Sequence, residues 1–397
     1  MTQKQALKKS LKLYSLYALL SRAYFWMPVF ILYFSSLLSL KDVFLLEAVY
    51  YVTVFVTEVP SGWFSDTRGR KTTLLLSGSF LVMAYTLFIL GNSFFTLAIA
   101  QIFLGMGFSF ASGTDTSLHL ALLEAKGKES EYGKREGKLG ALSTMVAALA
   151  SILGGTIAWL GAYRWAYVLS LFFALLSLLI TTMIQDPEKH CVRPKRRAIK
   201  QFIQVGKRLS HPRLRFVFVF TVIITVLNHT PYELYQPYAK TLGILSGSAA
   251  PLLTGIHAAL ASLIAAFAAG QSFSLREKIG TKALLISALV LQTLLIGALM
   301  IPARMEVFLL LLLRGVPGPL TTPAVRSESA PYLPSEERAT FFSLQSLAGR
   351  AAFALTLVAY NQGKGDAITG SAALGLTVAL LGGLLLLFLP MSPKKEQ

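Results

Sequence analysis

Long apolar runs dominate this sequence and fix the environment in which it can fold. Residues 74–90, 97–110 and 374–389 each approach the roughly 20 apolar residues that cross a bilayer core. Charged residues make up only 14% of the chain, against about 25% in a typical soluble domain. The pattern predicts an all-α membrane protein with about twelve transmembrane helices, which we number spans 1 to 12, at residues 13–38, 43–64, 73–91, 94–123, 138–160, 164–184, 214–239, 249–272, 282–302, 305–328, 338–360 and 368–389.

The basic residues are concentrated on one side of these spans. Of the 37 Lys and Arg residues, 29 fall in the two tails and in the segments that would share their side of the membrane. This asymmetry is the positive-inside pattern, and it predicts that both termini are cytoplasmic. The net charge of +18 is therefore expected to meet anionic membrane lipids rather than nucleic acid.

Charged and glycine positions recur in the two halves of the sequence at a nearly constant offset, which is typical of duplicated bundles. The recurrence predicts two pseudo-symmetric six-helix bundles, residues 1–184 and 213–397, joined by a cytoplasmic linker at 185–212. The equivalent positions are Asp66, Gly69 and Lys71 with Glu277, Gly280 and Lys282 at an offset of 211 residues, and Gln101 and Asp115 with Arg314 and Glu328 at an offset of 213 residues.

The linker is rich in Lys, Arg and Pro. Its apolar residues recur with some helical spacing, so a short helix on the membrane surface and a solvated basic loop are both open; these residues are Ile199, Phe202, Ile203, Val205 and Leu209. The linker also holds Cys191, the one cysteine of the chain, which excludes an internal disulfide framework and a multi-cysteine zinc site.

The segment between spans 2 and 3 carries the most specific motif. Residues 62–74 read GWFSDTRGRKTTL, in which two glycines, an acid and two adjacent basic residues stand at fixed spacing between apolar runs. This segment resembles the loop between helices 2 and 3 of the major facilitator superfamily, whose pattern is G-x-L-a-D-r-x-G-r-k-x-x-L. The positions that match are Gly62, Asp66, Gly69, Arg70, Lys71 and Leu74.

The resemblance implies a carrier built from two bundles that rock about a central site lined by helices 1, 4, 7 and 10. It also implies a charge latch at the cytoplasmic face, in which Arg70 bridges Asp66 and Asp115, because a guanidinium can hold two carboxylates in bidentate fashion. A weaker copy is expected in the second half, and a purely structural role in loop orientation is the alternative for both sets. The residues assigned to gating are Gly62, Asp66, Gly69, Arg70, Lys71, Asp115, Glu277, Lys282 and Glu328.

Polar residues at mid-membrane depth are the candidate substrate contacts, because a charge at a helix centre costs about 2.5–3.5 kcal/mol on insertion scales. Three deep arginines would make a positive cavity that favours an anionic substrate, unless nearby glutamates neutralise it. Alternatively, each arginine is paired to a neighbouring helix and touches no ligand. The candidate substrate-binding residues are Arg22, Tyr24, Gln101, Asn228, His229, Tyr232, Gln236, Arg314 and Arg350.

Three acids, Glu58, Asp115 and Glu233, are the candidates for proton coupling. His229 lies one helical turn from Glu233, but no third ligand completes a motif, so neither a metal nor a cofactor is expected. No combination of nucleophile, base and orienting group can be recognised, so the chain is not expected to be an enzyme.

Two departures from the superfamily pattern bear on the direction of transport. Drug and proton antiporters usually carry an arginine on helix 4 where this chain has Gln101, and a Gly-Pro pair on helix 5 where it has Ala150 and Ser151. Segments 113–140 and 334–350 nevertheless resemble a drug-exporter-like bacterial branch. The expected function is therefore proton-coupled export of amphipathic compounds by a monomer in the bacterial inner membrane. The alternative is proton-coupled uptake or exchange of an organic anion, such as a carboxylate, a phosphorylated metabolite or a siderophore.

Overall fold

The computed structural model describes residues 3–187, 203–242, 249–362 and 367–389, and every regular element in those ranges is helical. The first half forms α1 (Gln3–Leu20), α2 (Phe30–Phe34), α3 (Leu40–Arg68), α4 (Arg70–Leu90), α5 (Phe94–Ala111), α6 (Thr114–Glu124), α7 (Tyr132–Leu160) and α8 (Tyr163–Met183). The second half forms α9 (Pro212–Thr241), α10 (Ala250–Ile279), α11 (Thr281–Ala298), α12 (Met305–Leu310), α13 (Pro317–Ser329), α14 (Ser335–Gln362) and α15 (Ala367–Phe388). The predicted all-α membrane class is confirmed.

Three of the twelve predicted spans are interrupted. In the described residues, eleven helical stretches are long and apolar enough to cross a membrane. Span 1 is not among them, because its helix stops at Leu20 and resumes as a short 3-10 helix, Met27–Val29, followed by α2. Span 4 divides between α5 and α6. Span 10 divides between α12 and α13, with a 3-10 segment, Leu311–Gly315, between them.

A proline or a glycine lies at each of these interruptions. Pro28 and Pro317 lack an N–H, and each ring crowds the carbonyl four residues earlier, which weakens a regular α-helix in the preceding turn. In span 4, Gly113 adopts a φ of 72°, a left-handed conformation that separates α5 from α6. The sequence therefore places a break in each of these three spans.

The chain divides into two compact units. The first comprises residues 1–194 and 247–263, and the second comprises residues 195–246 and 264–397. In the first unit, α5 packs against α3 and α4, and α4 also packs against α8. In the second, α9 packs against α14 and α15, and α11 packs against α13 and α15. The first part of α10 belongs to the first unit and the remainder to the second, and the bundle boundaries at 184 and 213 stay a prediction.

The internal repeat reappears in the backbone of both units. Gly69 and Gly280, at the predicted offset of 211 residues, each separate two long helices, with φ angles of 100° and 80° that favour glycine. Ser61 Oγ donates to a main-chain carbonyl of α5 at 3.0 Å, and Ser272 Oγ, at the same offset, donates to a main-chain carbonyl of α13 at 2.7 Å. The two halves thus share turn geometry and an interhelical hydrogen bond as well as charged positions.

A glycine pair in α7 permits two close backbone approaches within the first unit. A Cβ on Gly154 would lie 1.9 Å from the carbonyl oxygen of Phe25, and a Cβ on Gly155 would lie 2.4 Å from the carbonyl oxygen of Pro251. No side chain fits at either distance. The pair therefore brings α7 against the interruption in span 1 and against the first turn of α10.

The end of the linker is helical and packed. Residues 203–207 form a helical turn that leads into a 3-10 helix, Arg208–Ser210. Val205 is buried in a cluster with Leu214, Leu333 and Phe341, and Arg208 Nε donates to Glu337 at 2.8 Å. This part of the linker is therefore a helix rather than a solvated loop. Residues 188–202, including Cys191, lie outside the described residues.

Candidate functional site

The interruption in span 1 presents Arg22 to Asp115. Arg22 lies two residues beyond the end of α1, and its Nη2 is 3.7 Å from Asp115 Oδ2. Asp115 sits in the first turn of α6, where the helix dipole favours an acid, and Thr116 N donates to Asp115 Oδ1 at 2.7 Å. The Arg22 side chain is 52% exposed and that of Asp115 is 20% exposed. The pair is therefore open to solvent on the arginine side.

Aromatic residues surround the same interruption. Tyr24 makes an edge contact with Phe108 of α5 at 5.4 Å between ring centroids, and Phe108 makes one with Tyr50 of α3 at 6.2 Å. Trp26 is buried, and its Nε1 donates to Tyr85 Oη at 3.1 Å. One guanidinium and several aromatic rings thus lie on neighbouring turns of the first unit.

Arg70 of α4 reaches the start of α6, which holds Asp115, but these two predicted latch residues do not pair with each other there. Arg70 Nε donates to Ser117 Oγ at 2.7 Å, whereas Asp115, two residues earlier, forms its ion pair with Arg22. Asp66 is exposed and makes no ion pair within the described part of the chain. Lys71 Nζ donates to a main-chain carbonyl near the end of α8 at 2.6 Å. The glycines of the motif, Gly62 and Gly69, lie in the last two turns and at the end of α3.

A histidine that the sequence did not single out lies one turn beyond Asp115. His119 is buried, its Nδ1 is hydrogen-bonded to Glu136 of α7, and its ring stacks on Tyr14 of α1 at 4.5 Å. Tyr132 of α7 lies on another side at 5.7 Å. The histidine therefore joins α6 to two other helices. Its signal in the sequence is only a lone polar residue in an apolar segment.

In the second unit, Arg314 occupies the interruption of span 10. It lies in the 3-10 segment, is 7% exposed, and stacks its guanidinium on the ring of Tyr235 at 3.9 Å. Nη1 of Arg314 donates to the carbonyl of Leu311 at 3.1 Å, and the carbonyl of Arg314 accepts from Gln292 Nε2 at 2.9 Å. Arg314 is therefore buried and contacts residues of its own unit, whereas Arg22 is exposed.

The remaining candidates on α9 and α14 differ in accessibility. Gln236 is buried and donates to Tyr235 Oη at 3.1 Å, and His229 Nδ1 is hydrogen-bonded to the carbonyl of Thr225 at 2.7 Å. The residues that are partly exposed are Asn228, His229, Tyr232 and Arg350, and Asn228 Oδ1 accepts from Gln292 Nε2 at 2.6 Å.

Glu328 belongs to an ion pair that the sequence did not predict. Arg213, at the start of α9, donates through Nε to Glu328 Oε2 at 2.9 Å, and both side chains are buried. Thr281 Oγ1, at the start of α11, donates to Glu328 Oε1 at 2.9 Å. Glu277 and Lys282, the other members of the predicted second latch, are exposed.

The predicted proton-coupling acids lie in different surroundings, and a fourth acid joins them. Glu58 accepts from Ser112 Oγ at 3.3 Å, Glu233 is fully buried in α9, and Asp115 pairs with Arg22. Glu47 of α3, which the sequence analysis did not choose, is buried and accepts from Gln101 Nε2 at 2.7 Å. Gln101 is thus turned toward an acid of its own unit.

The family follows from a match over most of the sequence. Residues 13–357 match the family described as Major Facilitator Superfamily. The chain belongs to this superfamily. Its helical content and apolar stretches make it an integral membrane protein. No curated protein sequence significantly matches the chain.

Solved structures share the fold of this superfamily member at low sequence identity. A variant of the nucleoside transporter NupG aligns with a TM-score of 0.75 and 10% identity, covering 96% of this chain and 98% of that one. The peptide transporter POT in complex with sulfate aligns with a TM-score of 0.72 and 14% identity, covering 98% and 97%. The D-xylose-proton symporter aligns with a TM-score of 0.71 and 13% identity, covering 99% and 100%. The TM-scores establish a common architecture. Identities this low do not indicate which solute is carried.

Proposed function

We propose that this protein is a secondary transporter that moves a small organic solute across the membrane by alternating access, driven by the proton gradient. The observation that carries the proposal is the exposure of Arg22 at the interruption of span 1, with Asp115 as its ion-pair partner. The protein would act as a monomer in the cytoplasmic membrane, with both termini inside the cell. Its structural relatives include a protein described as a proton symporter, which is compatible with this coupling.

The depth of Arg22 in the predicted span indicates that its exposed side chain faces water. Arg22 lies ten residues after Lys12, the last basic residue of the N-terminal tail, and the eight steps from Lys12 to Leu20 along α1 alone span about 12 Å. An exposed guanidinium at that depth would be costly against lipid, so its exposed side is expected to face water. Interrupted backbone inside a membrane is tolerated only where it is buried in protein or lines water. Both arguments support a hydrated, solute-accessible surface at the interruption.

The same surface favours an organic anion with an aromatic part over an amphipathic cation. Arg22 supplies the exposed positive charge, and Tyr24 with Phe108 supplies ring surface beside it. Asp115 already neutralises part of that charge, so an anion would compete with Asp115 for the guanidinium. Export of amphipathic compounds remains the second candidate, supported by the charged motif at residues 62–74 and by these aromatic rings.

The test is transport into proteoliposomes under an imposed pH gradient. The probes are radiolabelled p-aminohippurate, an aromatic organic anion, and ethidium, an amphipathic cation. We expect gradient-dependent movement of p-aminohippurate that is abolished when a protonophore collapses the gradient. In Arg22→Gln, we expect this movement to fall at least tenfold, because loss of a hydrogen-bonded charge at a binding site costs about 1.5–3 kcal/mol.

The matched control is Arg304→Gln, at an exposed position before α12. Its transport is expected to equal that of the wild-type protein. Movement of ethidium without p-aminohippurate would replace the anion by the second candidate. If neither probe responds to the pH gradient, proton coupling of these solute classes is wrong.

A further inference from the structure

Glu47 is a buried carboxyl that has no counter-ion in the part of the chain that the structure describes. It is 5% exposed, lies in the apolar part of α3, and makes no ion pair with any residue that the structure describes. Its hydrogen-bond partner among the described residues is the side-chain amide of Gln101, at 2.7 Å. Glu47 follows the start of α3 by seven residues and Gln101 follows the start of α5 by seven, so both lie about 10 Å below their helix ends.

The neighbouring titratable groups add no positive charge. Tyr167 of α8 is buried and close enough to Glu47 for electrostatic interaction. Tyr50 and Tyr51 follow Glu47 on α3 itself by three and four residues, which places them on the adjacent turn. Gln101 is neutral. An ionised carboxylate here would therefore be desolvated with a single amide as compensation, which is unfavourable by several kcal/mol.

The amide of Gln101 is matched to the acid form of Glu47. Gln101 Oε1 is buried and accepts no hydrogen bond within the described residues, while Nε2 of the same amide donates to Glu47. A protonated carboxyl has an O–H that can donate to the amide oxygen as its carbonyl accepts from the amide nitrogen. Protonation would thus satisfy the orphan acceptor and remove the buried charge in one step. Loss of the proton would create both defects again.

The pair lies at one end of a polar seam between α3 and α5. One turn further along, a Cβ on Gly105 would lie 3.1 Å from the main-chain oxygen of Tyr50, so the two backbones are close. One turn beyond that, Thr57 Oγ1 donates to Ser109 Oγ at 2.9 Å. A change of charge at Glu47 would therefore act on a seam that holds two membrane-spanning helices together.

The geometry points to Glu47, held by Gln101, as the residue that binds the coupling proton. This inference rests on the proton-coupled transport proposed above, and it adds a residue outside the three acids that the sequence suggested. Glu47 carries its proton while the seam between α3 and α5 is closed, and releases it when the seam admits water. The reaction is proton binding alone, from carboxylate and proton to carboxylic acid.

Infrared difference spectroscopy and transport test it together, using the full-length protein in liposomes. The wild-type spectrum at neutral pH should contain the C=O stretch of a protonated carboxylic acid, and Glu47→Gln should lack that band. Gln is close in shape to the protonated acid, so this variant should fold. For whichever of p-aminohippurate and ethidium the wild type carries, Glu47→Gln should exchange the solute normally. Its gradient-driven accumulation should fall to the level reached without a pH gradient.

Two further variants complete the test. Glu47→Asp keeps an acid and should retain part of the gradient-driven accumulation, with a shifted pH profile. Glu306→Gln, at an exposed acid in the first turn of α12, should behave as wild type in both assays. An unchanged infrared band in Glu47→Gln, or unchanged gradient-driven accumulation, would overturn the inference. A wild-type protein that ignores the pH gradient would instead overturn the proposed coupling itself.

Discussion

At the residue scale, Arg22 and Arg314 show that the surroundings of a deep arginine depend on its partners in the fold. Both Arg22 and Arg314 lie at interruptions of spans that the sequence had predicted to be continuous. Arg22 meets a carboxylate and stays exposed, whereas Arg314 stacks on Tyr235 and is enclosed. The sequence could identify costly charges by their position in apolar runs. It could not identify partners such as Asp115, which lies 93 residues away from Arg22, because pairing depends on helix packing.

Removal of the acid that pairs with Arg22 tests whether solute and carboxylate compete. In Asp115→Asn, the guanidinium loses a partner that is worth about 1 kcal/mol for a partly exposed pair. If p-aminohippurate binds Arg22, its half-saturating concentration should fall about fivefold. Concentration-dependent exchange in proteoliposomes measures this. Glu129→Gln, at an exposed acid ahead of α7, is the control and should leave the value unchanged. A higher half-saturating concentration in Asp115→Asn would show that Asp115 assists binding.

At the scale of elements, the sequence predicts the membrane spans but not the breaks within spans 1, 4 and 10. Apolar runs located the uninterrupted membrane helices with ends that differ by up to about seven residues, because burial in lipid is a property of composition. Pro28, Gly113 and Pro317 were present as signals of the breaks. They were outweighed by the apolar residues around them, since proline and glycine also occur in continuous membrane helices, as Pro231 and Pro237 do in α9.

The contact between α7 and the interruption of span 1 gives a prediction with a control in the same helix. Gly154→Ala would place a Cβ 1.9 Å from a main-chain oxygen, and it should destabilise the protein by about 3 kcal/mol, because the obstructing atom is backbone. Gly140→Ala, which meets no atom within 4 Å, should instead stabilise α7 by about 0.5–1 kcal/mol through helix propensity. Thermal unfolding of the purified proteins in detergent measures both. Equal melting temperatures would contradict the close approach.

At the scale of the whole molecule, the duplication is visible in the sequence, and the structure adds equivalent interhelical hydrogen bonds to it. The offset of 211 residues, predicted from charged and glycine positions, also relates the hydrogen-bond donors Ser61 and Ser272, and the equivalent glycines Gly69 and Gly280 share a positive φ. Serine-to-backbone bonds leave no distinctive pattern in an apolar sequence, so they could not be anticipated. The first part of α10 belongs to the unit formed by the first half, a feature that no linear repeat indicates.

The topology inferred from charge gives the prediction for the molecule as a whole. Cys191 is the one thiol of the chain and lies in the linker expected to be cytoplasmic. A membrane-impermeant maleimide should label it in inverted membrane vesicles and not in intact cells. The matched variant combines Cys191→Ser with Ala303→Cys, an exposed position between α11 and α12 on the opposite side in this topology. It should be labelled only from outside. The reverse pattern would invert the proposed orientation.

The turn at Gly113 divides span 4 into two helices that hold different residue pairs. α5, which holds Gln101 against Glu47, ends before it, and α6, which carries Asp115, begins after it. Rotation of the backbone at Gly113 can change the direction of α6 while α5 stays packed against α3. The Glu47–Gln101 pair and the Arg22–Asp115 pair are therefore connected along the chain through one glycine turn.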